Sequence, residues 1–172
     1  MRESKMKSFL FALPIFFFGT LQAVALDVGQ TGPCVVLNDI QPDGQEIQEC
    51  IRTRDASQKF TLIEFFSIAC DDCQVNLPIV SDLTPAIVAT TKTRLVATDT
   101  DEAAVRTYLK EKGAALIQMP VALDSLKQAV RAYDVLVTPT MFLLDSHNQI
   151  IFKHEGILTD VELAQIKQLT GN

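Results

Sequence analysis

Apolar and polar positions along the chain predict strands and helices in turn from residue 60 onward. Phe60 to Ser67 is a nearly continuous apolar run, which is typical of a strand buried on both faces. Thr140 to Leu144 and Gln149 to Lys153 are separated by turn-forming residues, which predicts an antiparallel hairpin. The predicted strands span residues 60–67, 93–98, 119–123, 140–144 and 149–153. Two predicted helices span residues 71–90 and 101–112, and two more begin near residues 124 and 159. This order indicates a mixed α/β sheet covered on both faces.

Single residues mark the ends of these helices. Pro78 predicts a kink in the helix that begins at Asp71, and Pro85 predicts a break in it. Thr159 and Glu162 have the spacing of a capping box at the start of the last helix. In the helix before it, the apolar residues with the i, i+3, i+4, i+7 spacing of one face are Leu126, Ala129, Val130 and Tyr133. That face is expected to lie in the core.

Residues 1–25 have the three parts of a secretory signal peptide. A basic start is followed by an apolar run from Phe9 to Leu21, and Ala23 to Ala25 is a small-x-small cleavage site. The apolar run is shorter than the about 20 residues that a bilayer-spanning helix needs. We therefore predict cleavage after Ala25 and export to the periplasm, with an uncleaved membrane anchor as the alternative. No later stretch of the sequence is long and apolar enough to span a membrane.

Composition and charge narrow the class of protein. The chain has 172 residues, of which 48% are hydrophobic and 21% charged, a balance typical of a globular domain. The net charge of −6 and the lack of a basic cluster argue against a nucleic-acid partner, because such a partner needs cations to contact its phosphates. We expect a monomer.

The candidate chemistry lies in the Cys70-x-x-Cys73 motif, where the strand ends and the first helix begins. This spacing lets the two sulfurs bond within one helical turn, and the free N–H groups of that turn favour a thiolate on Cys70. Cys70 is thus predicted to attack and Cys73 to resolve. A structural disulfide and half of a zinc site are the alternatives. Zinc would need two further ligands at suitable spacing, and an exported protein is a poor place for a thiolate cage.

The chain resembles the thioredoxin superfamily from about Phe60 to Leu169. The apolar strand leads into Cys70, Pro78 follows Cys73 in the helix, and Val137-Thr138-Pro139-Thr140 enters the hairpin. A further strand–helix step through Tyr133 is similar to the insertion of the exported TlpA-like branch. The resemblance implies a three-layer α/β/α fold with a mixed sheet and that inserted step. It divides the chain into residues 1–25, the signal peptide; 26–59, an N-terminal extension; and 60–172, the thioredoxin-like domain.

The same resemblance implies a thiol-disulfide oxidoreductase without cofactor or metal. Its substrates would be protein disulfides, and an upstream thiol donor, soluble or membrane-bound, would restore the dithiol. Pro139 would form a cis-proline turn opposite the cysteines, and Thr138 would make the main-chain contact with substrate. Glu64 would be a buried acid that passes protons to or from the resolving cysteine. Alternatively, Glu64 reaches solvent or pairs with a cation such as Lys59.

Two features depart from the family pattern. Ala69 stands where the family has tryptophan, which leaves the range of partners open. Asp71 and Asp72 replace the usual Gly-Pro-like spacer, and their charges oppose a neighbouring thiolate. We therefore hypothesise a reductant or near-neutral exchanger rather than a strong oxidant.

Cys34 and Cys50 are the second candidate pair. An exported chain permits a structural disulfide between them, and a redox pair that relays electrons to the Cys70–Cys73 motif is the alternative. Their neighbourhood has a weak pattern: Cys34 to Leu37 favours an edge strand, whereas Glu46 to Arg54 fits a strand or a helix equally poorly.

The remaining candidates are weaker. His147 and His154 are expected on the hairpin, far from the cysteine turn, so copper delivery is a minor alternative. The acidic residues from Asp99 to Glu102 are expected to cap a helix rather than to bind metal. A protein of a different class, a non-catalytic binding module, would keep the fold and hold a partner in the groove between Cys70 and Pro139.

Overall fold

The computed structural model describes residues 26–40, 46–112 and 119–171, and the predicted signal peptide lies outside these ranges. The strands are β1 (Val36–Ile40), β2 (Glu46–Cys50), β3 (Phe60–Phe66), β4 (Thr91–Ala97), β5 (Val121–Leu123), β6 (Thr140–Leu144) and β7 (Ile150–Glu155). The helices are α1 (Asp71–Ile87), α2 (Glu102–Lys112), α3 (Gln128–Ala132) and α4 (Asp160–Thr170). The predicted alternation of strands and helices after residue 60 is confirmed.

The strands form one mixed sheet in the order β2-β1-β5-β4-β3-β6-β7. The central strands β3, β4 and β5 are parallel, and β6 and β7 add the predicted antiparallel hairpin beside β3. On the other side, β1 pairs antiparallel with both β5 and β2. The sheet order places β3, which leads into α1, next to the strand that follows Pro139.

Each face of the sheet carries its own apolar core. On the first face α1, α2 and α4 cover the strands, and the buried residues of these helices include Leu77, Val80, Leu83, Ile87, Val105, Leu109 and Ile166. On the second face, which α3 covers, Phe65, Tyr133 and Phe142 pack with ring centroids 5.1–5.9 Å apart. Full burial of such side chains stabilises the fold by about 1.5–3 kcal/mol each. Helices on both faces confirm the predicted three-layer arrangement.

The residues before β3 join the same sheet. The predicted edge strand at Cys34 to Leu37 begins instead at Val36, and β1 lies inside the sheet because β2 covers its outer side. Arg94 of β4 is fully buried and forms ion pairs with Asp39 of β1 and, at 2.9 Å, with Glu49 of β2. These contacts tie the first two strands to the centre of the sheet. The predicted domain boundary at residue 59 stays a prediction.

Two helix boundaries differ from those predicted. Helix α1 continues through Pro85 to Ile87, because Leu83 and Ile87 are anchored in the core and Pro85 lies on the exposed side near the helix end. The predicted kink at Pro78 stays a prediction. The predicted capping box of α4 at Thr159 is confirmed.

Helix α3 begins at Gln128 rather than near Asp124. The Asp124 carboxylate accepts hydrogen bonds from the backbone N–H groups of Gln128 at 2.6 Å and Val130 at 2.8 Å. Lys127 takes a left-handed conformation directly before the helix, with φ of 56°. Leu126 therefore precedes the helix and is 68% exposed, so its predicted place on the buried face was wrong. Within the described residues no helix has the length and apolar character needed to cross a bilayer.

Candidate active site

The Cys70–Cys73 pair sits at the first turn of α1 and forms a disulfide. Cys70 is the N-cap residue, and its Sγ accepts a hydrogen bond from the backbone N–H of Cys73 at 3.1 Å. Cys70 is half-buried, whereas Cys73 is fully buried in the first-face core. A substrate disulfide can therefore approach the first sulfur but not the second. Asp71 and Asp72, between them, are exposed in the first turn.

The turn that enters β6 lies against these cysteines. The Thr138–Pro139 peptide bond is cis, and the Thr138 carbonyl oxygen lies 3.2 Å from Cys70 Sγ. Next to this turn, Leu136 and Val137 are exposed over 80% and 50% of their surfaces. The structure thus brings Thr138 and Pro139 together with Cys70, and it places an apolar surface beside the pair.

Glu64 is fully buried in the middle of β3, on the face that α1 covers. Its Oε1 accepts a hydrogen bond from Asn76 Nδ2 of α1 at 2.8 Å, whereas its buried Oε2 has no hydrogen-bond partner among the described residues. Burial raises the pKa of this carboxyl to about 7, and the Asn76 bond opposes the rise. Both alternative placements are wrong: Glu64 does not reach solvent, and its hydrogen-bond partner is an amide rather than Lys59.

The loop between β3 and Cys70 is braced from two sides. Asp99, at the end of β4, accepts hydrogen bonds from Ser67 Oγ at 2.8 Å and from the Ile68 N–H at 3.0 Å. Gln74 Nε2 donates to the Ile68 carbonyl at 3.2 Å, and the Tyr108 hydroxyl donates to Gln74 Oε1 at 2.8 Å. These hydrogen bonds hold the loop that leads from β3 to Cys70 in place.

Sequence reasoning assigned no role to Asn76, Gln74 or Tyr108, because these contacts join residues that are distant in the chain. Asp99 was expected to cap α2. In the structure Asp101 provides that cap, accepting from the Ala104 N–H at 3.1 Å, and Asp99 braces the loop. Asn76 has the spacing that places it on the same helix face as Cys73, Leu77 and Val80. A polar residue on that otherwise apolar face is the sequence signal that could have singled it out.

Cys34 and Cys50 form a second disulfide, with a sequence separation of 16. Val35 and Ile51, which follow these cysteines in the chain, pack in the second-face core. Cys70 and Cys73 belong to the first-face core. The Cys34–Cys50 bond joins the residues before β1 to the end of β2, at the edge of the sheet.

The two histidines are on the hairpin, as expected. The side chain of His147 is 83% exposed in the turn between β6 and β7. His154 lies on β7 opposite Met141 of β6. Its Nε2 lies 3.1 Å from the Ile157 carbonyl oxygen. The described residues contain no group of three or more His, Cys, Asp or Glu side chains that could hold a metal ion.

A disulfide at the first turn of a helix, facing a cis-proline turn on a mixed sheet, defines a thiol-disulfide oxidoreductase of the thioredoxin fold. The chain belongs to the AhpC/TSA family, whose profile matches residues 28–153. It is 26% identical over 148 residues to the thiol-disulfide oxidoreductase ResA of Bacillus thuringiensis subsp. konkukian, covering 84% of this chain and 80% of that protein.

Solved structures show the same fold. The thioredoxin domain of a thiol-disulfide oxidoreductase from Bacteroides vulgatus superposes with a TM-score of 0.68 at 19% identity, over 84% of this chain and 99% of that one. StoA from Bacillus subtilis superposes with a TM-score of 0.61 at 22% identity, over 81% and 98% of the two chains. The predicted resemblance to the thioredoxin superfamily is confirmed.

Proposed function

We propose that the protein is an exported, periplasmic reductant of protein disulfides. The observation that carries this proposal is the unequal burial of the two sulfurs at the start of α1. Cys70 is accessible beside an exposed apolar surface, whereas Cys73 is enclosed in the core. Such a pair suits attack by one sulfur and internal release by the other. Export rests on the signal-peptide pattern of residues 1–25.

This geometry supports a reaction in two thiol–disulfide exchange steps. The Cys70 thiolate attacks one sulfur of the substrate disulfide, forms a mixed disulfide and releases the first substrate thiolate. Cys73 then gives its proton to Glu64 and attacks Cys70 Sγ. The Cys70–Cys73 bond forms as the bond to substrate breaks, and the substrate leaves as its second thiolate. The substrate gains the two electrons that the dithiol loses, and an upstream thiol donor, soluble or membrane-bound, restores the dithiol.

Substrate binding is assigned to the turn opposite the cysteines. Thr138 would pair its backbone with an extended substrate segment, and Pro139 would hold that backbone in place beside Cys70. Leu136 and Val137 support this assignment, because their exposed apolar side chains can contact a substrate. Ala69, before Cys70, has only a methyl group to offer for such a contact. We infer that the protein works as a monomer.

A trapping experiment tests the proposed function. In a Cys73→Ser variant the mixed disulfide on Cys70 cannot be resolved, so covalent complexes with exported proteins should accumulate in cells. They should disappear on addition of dithiothreitol and be absent in the matched Cys70→Ser and Cys73→Ser double variant. A non-catalytic binding module would give no covalent complexes in either variant, and that result would overturn the proposal.

A further inference from the structure

Asn76 connects three parts of the active-site region through its side-chain amide. It lies on α1 and is fully buried. Its Nδ2 donates to Glu64 Oε1 at 2.8 Å and lies 3.7 Å from Met141 Sδ on β6. Its Oδ1 accepts from the backbone N–H of Leu158 at 2.8 Å, just before α4. Both polar atoms of the amide therefore have partners.

These partners permit only one orientation of the amide. A flip would place Oδ1 against the Glu64 carboxylate and the NH₂ group against the Leu158 N–H. Two favourable hydrogen bonds would then become an acceptor–acceptor and a donor–donor contact. Nδ2 is thus held facing Glu64, and it can act there only as a donor.

The fixed donor determines which oxygen of Glu64 can exchange a proton. Oε1 is engaged as an acceptor, whereas Oε2 is buried and has no hydrogen-bond partner among the described residues. Asn76 follows Cys73 by one helical turn, and side chains at that spacing lie about 5–6 Å apart at their Cβ atoms. The residue that holds the Glu64 carboxyl is therefore a neighbour of the resolving cysteine on one face of α1.

We propose that Asn76 is a positioning residue, which holds the Glu64 carboxyl by Oε1 so that Oε2 receives the proton of Cys73. The inference rests on the proposed function and specifies its second step. The S–H bond of Cys73 breaks, its proton moves to Oε2, and the sulfur electron pair attacks Cys70 Sγ. The departing substrate sulfur takes the electron pair of the mixed disulfide bond, so atoms and electrons balance.

Three other ionisable groups among the described residues lie around Glu64. Tyr108 on α2 interacts electrostatically with it, Cys73 lies one helical turn before Asn76 on α1, and His154 on β7 is separated from it by Met141 on β6. Burial, and to a lesser degree the charge of Glu64, raise the pKa of Tyr108 above its usual value near 10. Apolar residues lie opposite Glu64 on both neighbouring strands, Leu95 on β4 and Met141 on β6. Because Tyr108 and His154 are the same in each variant below, differences between variants report on Glu64.

The test follows the two thiol steps separately. Reduced protein is mixed with an aromatic disulfide reagent that releases a coloured thiol. The first release reports attack by Cys70, and the second reports resolution by Cys73. In the wild-type protein the second phase should accelerate with rising pH as Glu64 ionises. In Asn76→Ala the bond that favours ionised Glu64 is lost. The midpoint of the second phase should then rise by about one pH unit, which slows that phase about tenfold at pH 6.

The controls separate positioning from folding. Thr84→Ala removes a different side-chain hydrogen bond of α1, the one from the Thr84 hydroxyl to the Thr93 hydroxyl at 3.2 Å. It should leave the pH midpoint of the second phase unchanged. In a Glu64→Gln background, adding Asn76→Ala should change the second phase less than twofold. Asn76→Asp keeps the shape and the acceptor for Leu158 but places a second carboxyl beside Glu64, so it should also raise the midpoint.

Three results distinguish the possibilities. An unchanged midpoint in both Asn76→Ala and Asn76→Asp would overturn the positioning role while leaving the proposed function intact. An equal effect of Asn76→Ala with and without Glu64 would also overturn it, because the residue would then not act through the carboxyl. If wild-type protein releases no second thiol, the proposed function itself fails.

Discussion

Glu64 shows how burial alone can adapt one carboxyl to thiol chemistry. An exposed glutamate is ionised above its usual pKa of 4.5, whereas enclosure between β3 and α1 raises the pKa of Glu64 to about 7. A group with that pKa can both accept and return a proton near neutral pH. Asn76 limits the rise, since its N–H favours the charged form.

This raised pKa predicts how stability depends on pH. Between pH 4.5 and about 7 the folded protein holds a proton on Glu64 that the unfolded chain has released. Stability from this group is therefore present below pH 4.5 and is lost as pH rises through 7, a change on the order of 3 kcal/mol. Urea unfolding of the oxidised protein at pH 5 and pH 8 should show this loss, and Glu64→Gln should show much less of it.

Oxidised protein is used because its cysteines do not titrate. Other carboxyls contribute to both curves, so the difference between wild type and Glu64→Gln isolates the buried group. Equal pH dependence in the two proteins would show that Glu64 does not carry a proton near pH 7 and would remove its relay role.

The first turn of α1 combines two opposing electrostatic effects. Its free N–H groups favour a thiolate on Cys70, as the bond from the Cys73 N–H shows. Asp71 and Asp72 stabilise the helix from the same turn but repel that thiolate. Because only the reduced protein carries the thiolate, the aspartates disfavour the reduced form and make the dithiol a better reductant.

Neutralising the aspartates should therefore make the protein more oxidising. Interactions between neighbouring exposed charges are worth about 0.2–1 kcal/mol each, and 1.4 kcal/mol corresponds to about 30 mV for a two-electron couple. The double variant Asp71→Asn and Asp72→Asn should raise the reduction potential by about 10–40 mV, measured by equilibration with glutathione buffers. A lower potential in the double variant would contradict the proposed repulsion. A wild-type potential of about −120 mV would contradict the reductant role.

The strands and helices that bury continuous or periodic apolar residues were predictable from the sequence. The β3 run, the α4 capping box and the β6–β7 hairpin each carry their signal within a few neighbouring residues. Helix α3 was misplaced because the Asp124 side chain caps it from several residues upstream. Strands β1 and β2 were poorly legible, since their stability depends on pairing with β5 and on the buried Arg94.

The candidate site was predictable only where its residues are close in the chain or match a family motif. Cys70, Cys73 and Pro139 were singled out in that way. Asn76, Asp99 and the other bracing residues become meaningful only when the fold brings α1, β3 and the loop before α4 together. A hydrogen bond between distant residues leaves no local pattern in a single sequence.

In the whole molecule the two disulfides lie at different strands of the sheet: Cys70–Cys73 follows the central strand β3, and Cys34–Cys50 joins β1 to the edge strand β2. Cys70 and Cys73 pack with the first-face core, while the neighbours of Cys34 and Cys50 pack with the second. Cys50 is also joined to the centre of the sheet, because its carbonyl accepts from Arg94 at 3.1 Å. This placement favours a structural role for the Cys34–Cys50 bond over electron relay.

Removing that bond should therefore lower stability without slowing the chemistry. A disulfide that closes a loop of this length stabilises by about 3 kcal/mol in the chain-entropy model. The double variant Cys34→Ser and Cys50→Ser should lose about 3 kcal/mol of the free energy of unfolding, measured in urea. The rates of both thiol-release phases should stay within twofold of wild type. If the pair instead passed electrons to the Cys70–Cys73 dithiol, the double variant would lose multiple-turnover reduction by an added thiol donor. Because strands β5 and β4 separate β1 from β3, which leads into Cys70, we expect that turnover to be retained.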